Sequence, residues 1–373
     1  MEDRARVYHR WQLALSVANL VVSAAVLAGS AWLLGRAARS PAPSTGLELA
    51  RTVAIELAGL GLALGVATAP LAVVSGYWLA RRFGLLHQSF AAWLGDRMKA
   101  ALLGAALALL AFEVLYLLLA RTSYWWVVAA VIFFAGYALL ATVAPIWLLP
   151  LFYRLVPLGD GALRDRLLTL AARAGVPVVS VWVADQSRKS KTANAALAGL
   201  GPTRRIILFD TLTAQFTPDE IESILAHELG HHVHRDVLRG LAVQGALTLV
   251  TFWAADRLLR GSLGLWGARG IADPAGLPWL ALILLALGVV TAPLGNAFSR
   301  WVERQADDFA VAATGDVSAF VGAMERLATL NLAERRPNRL KELLLYSHPS
   351  IDRRIARATG TVAGRTRGRR PVW

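Results

Sequence analysis

The sequence contains no cysteine, which excludes disulfides, thiolate metal sites and cysteine nucleophiles. Charged residues are also scarce. They make up 17% of the 373 positions, whereas 56% of the positions are hydrophobic. A soluble domain has about 45–50% apolar residues, and the excess here falls in long runs. This distribution is typical of a polytopic membrane protein.

Six of these runs are long enough to cross a bilayer, which takes about 20 apolar residues in a helix. They are Trp11–Leu34, Val53–Leu79, Ala100–Ala120, Tyr124–Leu149, Leu241–Leu259 and Leu277–Leu294. The first is too long for the apolar part of a signal peptide and no convincing cleavage site follows it, so it counts as a span. Pro145 and Pro150 should bend or end the fourth. Residues 1–150 are therefore predicted to form an N-terminal membrane region with four spans. Residues 151–373 form a second region that contains spans five and six and a basic tail.

Lysine and arginine outnumber acidic residues by 39 to 25, and their positions predict the topology. Of the 39, 32 lie in the N-terminus and in residues 81–99, 151–239 and 299–373. The positive-inside rule places these segments, and so both termini, in the cytoplasm. The tail "RTRGRRPVW" is interpreted as a contact with anionic membrane lipid. No platform of aromatic and basic residues accompanies it, so a nucleic-acid partner is not expected.

The polar segment between spans four and five combines short strands with helices. "VVSVWVAD" (178–185) and "RRIILFD" (204–210) have the pattern of buried strands, and a middle strand is predicted around Asn194–Ala198. Thr217, Pro218 and Glu220 form an N-cap, a first helical residue and a capping box. The predicted fold class is mainly α, a polytopic helical membrane protein with a small cytoplasmic α/β domain.

The helix that follows this cap contains "LAHELGHHVHRD" (225–236), which holds four of the seven histidines. His227 and His231 are four residues apart, so they share a helix face and can bind one metal ion. Glu228 lies beside them, where it can take a proton from a water molecule on that metal. This H-E-x-x-H spacing is typical of zinc peptidases, with two ligands and a general base. His232 is rotated away from the helix face of the two ligands, and His234 lies most of a turn further along the helix, so neither is interpreted as a metal ligand.

A catalytic zinc site also needs a third ligand and an open position for water. Glu303 and Asp307 lie four residues apart in "SRWVERQADDFA" (299–310), after span six, and should share a helix face. Glu303 can complete a His-His-Glu set, and Asp307 can orient one of the ligand histidines. The predicted cofactor is one Zn²⁺ per chain.

Together with further motifs, these residues resemble the membrane-embedded zinc metallopeptidases of the CAAX prenyl protease 1 type and their HtpX-like relatives. The additional motifs are "RRFGLLHQSFAAWLGDRMK", "APIWLLPLFYRLVPLGDGALR", "NAALAGLGPTRRIILFDTL" and "YSHPSIDRR". They cover most of the chain from residue 80 onward, in the order of the family. The chain also departs from the family. Its type-1 members usually have seven spans where six are counted here, and Asp236 stands where they often have histidine.

The resemblance implies the same metal ligands and general base as the helical spacing, and it adds residues on the substrate side. Asn194, Ala195 and Ala196 match the edge strand along which such enzymes hold the substrate. His348 and Arg354 match a pair that contacts the substrate and the developing oxyanion. The implied activity is zinc-dependent endopeptidase activity on peptides or membrane proteins, including C-terminally lipidated ones.

Several alternatives remain open on the sequence alone. Frequent alanine and arginine with few lysines indicate a prokaryotic plasma membrane, where a quality-control peptidase for damaged membrane proteins is an alternative to a maturation enzyme. A metal transporter or a non-catalytic scaffold is less compatible with a glutamate at the base position and with histidines outside the spans. Glu56, Glu113 and Asp256 lie within or near spans and indicate either a hydrated chamber or local polar pairs. The oligomeric state is not predicted.

Overall fold

A computed structural model of the chain describes residues 2–37, 46–199, 204–266 and 269–365. It is mostly helical, with one small sheet. The helices are α1 Glu2–Ala37, α2 Gly46–Val73, α3 Ala80–Arg82, α4 Phe90–Arg121, α5 Trp125–Val143, α6 Leu149–Phe152, α7 Ala162–Arg173, α8 Asp210–Gln215, α9 Pro218–Val233, α10 Asp236–Gly261, α11 Leu263–Trp266, α12 Leu277–Thr314, α13 Val317–Leu330, α14 Arg339–Leu345 and α15 Ile351–Arg365. Most of the basic tail, residues 366–373, lies outside the described residues.

Six helices in the described ranges are long and apolar enough to cross a membrane, which confirms the predicted number. Four of them precede residue 150, and α10 and α12 supply the other two. After α5 the chain continues as a π-helical turn over Ala144–Leu148 and then as α6. The α-helix is therefore interrupted in the segment where Pro145 and Pro150 predicted a bend or an end. The protein is a multi-pass membrane protein.

The spans pack around an apolar cluster in which one buried carboxylate is fully paired. Asp256 of α10 accepts a hydrogen bond from Trp125 Nε1 at 2.7 Å and from Arg260 Nε at 2.8 Å. A carboxylate at this depth is costly unless it is paired. For Asp256 the structure therefore favours the local polar pair over the chamber lining.

The polar segment forms a four-stranded sheet with helices packed on it. The strands are β1 Leu155–Pro157, β2 Ser180–Ala184, β3 Ala195–Ala198 and β4 Arg205–Phe209. Their order is β1-β2-β4-β3, where β2 and β4 run parallel and the two outer pairs are antiparallel. The predicted middle strand is thus present, and it lies at an edge of the sheet. Residues 200–203, which follow the strand, lie outside the described residues.

Helix α9 begins as the sequence predicts. Thr217 Oγ1 accepts a hydrogen bond from the Glu220 backbone nitrogen at 3.3 Å, and Glu220 Oε2 accepts one from the Thr217 nitrogen at 2.8 Å. Helix α9 then packs along the C-terminal half of α12. The two backbones approach so closely at Gly230 that an added Cβ would lie 3.0 Å from Ala306 Cα. This contact brings the histidines of one helix to the carboxylates of the other.

Candidate metal centre

The structure brings the three predicted metal ligands together from two helices. His227 and His231 on α9 and Glu303 on α12 offer ligand atoms that all lie within 4.8 Å of one another. His227 Nε2 is 3.3 Å from Glu303 Oε2, and His231 Nε2 is 3.6 Å from Glu303 Oε1. Two imidazoles and one carboxylate are the donor set of a catalytic zinc site.

A buried oxygen supports the fit of a metal ion to this site. Glu303 Oε2 accepts no hydrogen bond among the described residues, although Glu303 is buried. A buried carboxylate oxygen without a donor is costly, and a cation between the three side chains would remove that cost. The residues present therefore fit a divalent metal.

Each ligand histidine has its second ring nitrogen held by a carboxylate. His227 Nδ1 lies 2.9 Å from Asp307 Oδ1, and His231 Nδ1 lies 3.0 Å from Asp236 Oδ2. Such hydrogen bonds fix the tautomer with Nε2 free to bind a metal. The sequence predicted the first pair. It did not predict the second, which forms because Arg235, in a left-handed conformation with φ of 57°, turns the chain between α9 and α10.

Arg354 lies behind the site, against the carboxylate that holds His227. Its Nε and Nη2 donate to Asp307 at 2.9 and 2.5 Å, and Nη2 is 4.0 Å from Glu303 Oε2. Arg354 is buried. Burial alone would lower the pKa of His227, but the Asp307 and Glu303 carboxylates beside its ring raise that pKa to about 9. The group of acidic side chains around His227 thus attracts positive charge.

Glu228 lies next to the ligands in the sequence and is half-buried on α9. Burial raises the pKa of its carboxyl above the ordinary value, and the nearby His227 and His231 oppose this shift. A raised pKa brings a carboxylate closer to the range in which it can both take and return a proton. The shift is in the direction that the predicted general base needs.

His348 approaches the centre from the segment between α14 and α15. Its Nε2 lies 3.1 Å from Glu303 Oε1, and its side chain is 57% exposed. Its other nitrogen, Nδ1, is 2.9 Å from Ser347 Oγ. Of the predicted substrate-side pair, His348 thus has an open face, whereas Arg354 is enclosed.

The predicted substrate strand runs beside α9. Ala195 is buried and pairs with Leu208 of β4, while Asn194 and Ala196 are exposed. The chain before the strand is held by Asn331, whose Oδ1 accepts from Ala193 N at 3.0 Å and whose Nδ2 donates to Ala193 O at 3.3 Å. Asn331 lies far away in the sequence, and no local pattern identified it.

A cavity of about 320 Å³ opens beside His231, between β3 and the spans. Its walls are mostly apolar, with Ala138 and Leu241 among them, and they also include Arg204, His232 and Arg235. Arg204 Nε is buried without a hydrogen-bond partner in the described ranges. His232 therefore lines a space next to the metal centre and is not one of the metal-binding group. His234 packs edge-on against Phe309 and is also outside that group.

Comparison with known proteins adds two family matches that together cover most of the chain. Residues 157–362 match the model of peptidase family M48, and residues 3–154 match a model described as CAAX prenyl protease N-terminal, five membrane helices. Within residues 3–154, the described part of this chain has four candidate spans.

Individual relatives are similar over most of their length. The chain is 30% identical to the uncharacterized metalloprotease YhfN of Bacillus subtilis, over 80% of this chain and 71% of that protein. It is 28% identical to CAAX prenyl protease 1 of Saccharomyces cerevisiae, over 83% of this chain and 73% of that protein. The crystal structure of S. mikatae Ste24p superimposes with a TM-score of 0.73 at 23% identity, covering 96% of this chain and 88% of that one. This last likeness concerns the fold.

Proposed function

Because the chain belongs to peptidase family M48, it is a membrane metalloprotease, and we propose that its metal is zinc, bound by His227, His231 and Glu303. The observation that carries the proposal is the donor set itself, with two imidazole nitrogens and a carboxylate within 4.8 Å. The active site is proposed to face the cytoplasm, because the basic residues are concentrated on that side of the spans. A prokaryotic membrane is proposed from the frequent alanine and arginine and the few lysines.

Zinc at such a site supplies a Lewis acid that polarises a peptide carbonyl and makes a water molecule more acidic. Glu228 takes a proton from the attacking water and delivers it to the amine that leaves when the peptide bond breaks. The raised pKa of Glu228 suits both steps. The carboxylate thus acts as a base first and as an acid afterwards.

His348 and Arg354 are proposed to have different roles. The exposed His348 can donate a hydrogen bond to the oxygen that gains negative charge in the transition state. Arg354 is bound to Asp307 and enclosed, so we assign it to positioning. It holds the carboxylate that orients His227.

The substrate is a peptide or protein, and its backbone is proposed to extend along β3. Asn194, Ala195 and Ala196 lie at the sheet edge, where an added strand can form main-chain hydrogen bonds with little demand on sequence. Residues on one side of the cleaved bond would enter the cavity beside His231. C-terminally lipidated peptides are within this substrate class. The comparisons favour the prenyl protease 1 type over an HtpX-like quality-control peptidase.

The test compares the purified wild type with Glu228→Gln in detergent, using a quenched fluorescent peptide and zinc quantification. We expect about one zinc per chain in both proteins and cleavage by the wild type alone. Glu222→Gln is the matched control, because Glu222 lies on the same helix but pairs with Arg166 away from the ligands. If Glu228→Gln cleaves like the wild type, Glu228 is not the base. Zinc binding without cleavage of any peptide by the wild type would favour transport or a scaffold.

A further inference from the structure

A second cavity, of about 380 Å³, lies between α12, α14 and the start of α15. Its lining residues are Arg300, Arg339, Glu342, Leu343 and Arg353. On α14 they are Arg339, Glu342 and Leu343, whose spacing of three and four residues places them on one helix face. Nothing in the proposed peptidase mechanism uses this cavity.

The lining carries three arginines and one glutamate, and the glutamate already has partners within the protein. Glu342 Oε1 accepts a hydrogen bond from the Ser350 backbone nitrogen at 3.1 Å and lies 3.4 Å from Arg353 Nη1. Arg339 has no hydrogen bond or ion pair with any residue that the structure describes. A cavity with a surplus of arginine, one of them without a partner, suits an anion. Guanidinium groups match the geometry of phosphate oxygens.

The cavity lies at the level where the apolar part of α12 ends. Leu294, the last residue of that apolar run, is 59% exposed, and Asn296 Nδ2 donates to Leu344 O of α14 at 2.8 Å. Arg300 is six residues beyond Leu294, about 9 Å along the helix. The polar layer of a bilayer adds about 5–7 Å beyond each face of the hydrocarbon. The backbone of Arg300 therefore lies about 2–4 Å beyond the headgroup layer, and its long side chain can reach back to the lipid phosphates.

Leucines on α14 extend the apolar surface of the span toward the same cavity. Leu340 and Leu343 are 64% and 57% exposed, and Leu345 is also exposed. Side chains of this kind beside basic residues are typical of a segment that lies in the membrane interface. The cavity thus has a cationic wall and an apolar rim that continues into the lipid-facing surface.

We propose that this cavity binds the phosphate of an anionic phospholipid from the surrounding bilayer. Arg339 and Arg353 contact the phosphate, and Leu343 contacts the upper part of the acyl chains. The continuity with the span favours a membrane lipid over a soluble phosphate, because the exposed leucines would otherwise remain in water.

The bound lipid would act on the segment that carries His348. Arg300 Nη1 donates to Tyr346 O at 2.5 Å at one end of this segment, and Glu342 holds Ser350 N at the other. Occupation of the cavity thus stabilises both anchors. The binding itself does not depend on the proposed function, and it can be measured without any peptidase assay.

The experiment uses the full chain in detergent and native mass spectrometry, with phosphatidylglycerol, phosphatidylcholine and inorganic phosphate as separate probes. We expect the wild type to retain one phosphatidylglycerol more tightly than phosphatidylcholine. Arg339→Gln should lower this affinity about fivefold, the effect of one basic residue at an anionic membrane surface. Arg82→Gln is the matched control, because Arg82 is an exposed arginine at the end of the second span and does not line the cavity. It should change the affinity less than twofold.

Three results would overturn the proposal. They are equal retention by Arg339→Gln and the wild type, equal affinity for the two lipids, and complete displacement of phosphatidylglycerol by millimolar inorganic phosphate. The last would assign the site to a soluble anion. Because Arg339 has no partner in the described part of the fold, its replacement should not disturb folding. An unchanged elution volume in gel filtration is the control for this.

Discussion

Replacement of Asp307 by asparagine should weaken zinc binding strongly. The Asp307 carboxylate accepts from His227 Nδ1 at 2.9 Å and from two nitrogens of Arg354. An asparagine of the same shape has one oxygen and one amino group, so it cannot accept from both neighbours. Loss of such a partner lowers metal affinity about 10–100-fold, which corresponds to about 1.4–2.7 kcal/mol.

The assay is a competition for zinc between the purified protein and a chromogenic chelator at pH 7.5. Asp308→Asn is the control, because the adjacent Asp308 pairs with Arg357 at a half-exposed position. A surface pair contributes about 0–1 kcal/mol, so this variant should bind zinc like the wild type. Equal zinc affinities for Asp307→Asn and Asp308→Asn would refute the inference that Asp307 orients His227.

Three further perturbations address the helices and the charge of the site. Gly230→Ala should lower the free energy of unfolding by about 1–3 kcal/mol and reduce cleavage. Gly240→Ala should be tolerated, because the atom nearest to an added Cβ there is 3.9 Å away. Equal melting temperatures of the two variants would contradict the close helix contact at Gly230. Thr217→Ala should lower stability by about 1 kcal/mol in thermal denaturation while cleavage at 20 °C persists, and an unchanged melting temperature would show that the cap is dispensable. Zinc affinity should rise with pH up to about 9, by about tenfold per unit, because His227 is protonated below that pKa and must lose its proton to bind metal. An affinity that is constant between pH 6.5 and 8.5 would contradict this.

The sequence predicted those features that depend on local pattern. The six spans follow from the length and hydropathy of single helices, and the start of α9 follows from the capping box. The pairs His227 with His231 and Glu303 with Asp307 follow from the four-residue helical repeat. The structure adds that the two helices meet, which the spacing within each helix could not establish.

Other features depend on distant contacts and had no local signal. Asp236 reaches His231 only because Arg235 adopts a left-handed conformation, which the residue type does not favour. Asn331 holds Ala193 across 138 residues. The order of the strands, with β3 at an edge, likewise depends on pairings that strand patterns do not specify.

Arg354 shows where resemblance and geometry lead to different roles. The family pattern implied a contact with the oxyanion, which stays a prediction, and the structure shows the guanidinium paired with Asp307. Prediction of its partner needed the packing of α15 on α12, which the sequence of either helix alone does not reveal. The positioning role stays a proposal. Arg354→Lys should separate the two roles, because a positioning residue affects zinc affinity as well as turnover.

The central claim is that one zinc ion is bound by His227, His231 and Glu303. X-ray absorption at the zinc edge tests it most directly, with the wild type and His231→Ala compared in detergent. The chain has no cysteine, so the spectrum should show nitrogen and oxygen neighbours only, two of them imidazoles. His231→Ala should lose one imidazole contribution and most of the bound zinc. A spectrum and a zinc content that are unchanged in His231→Ala would contradict the account, because the metal would then lie elsewhere.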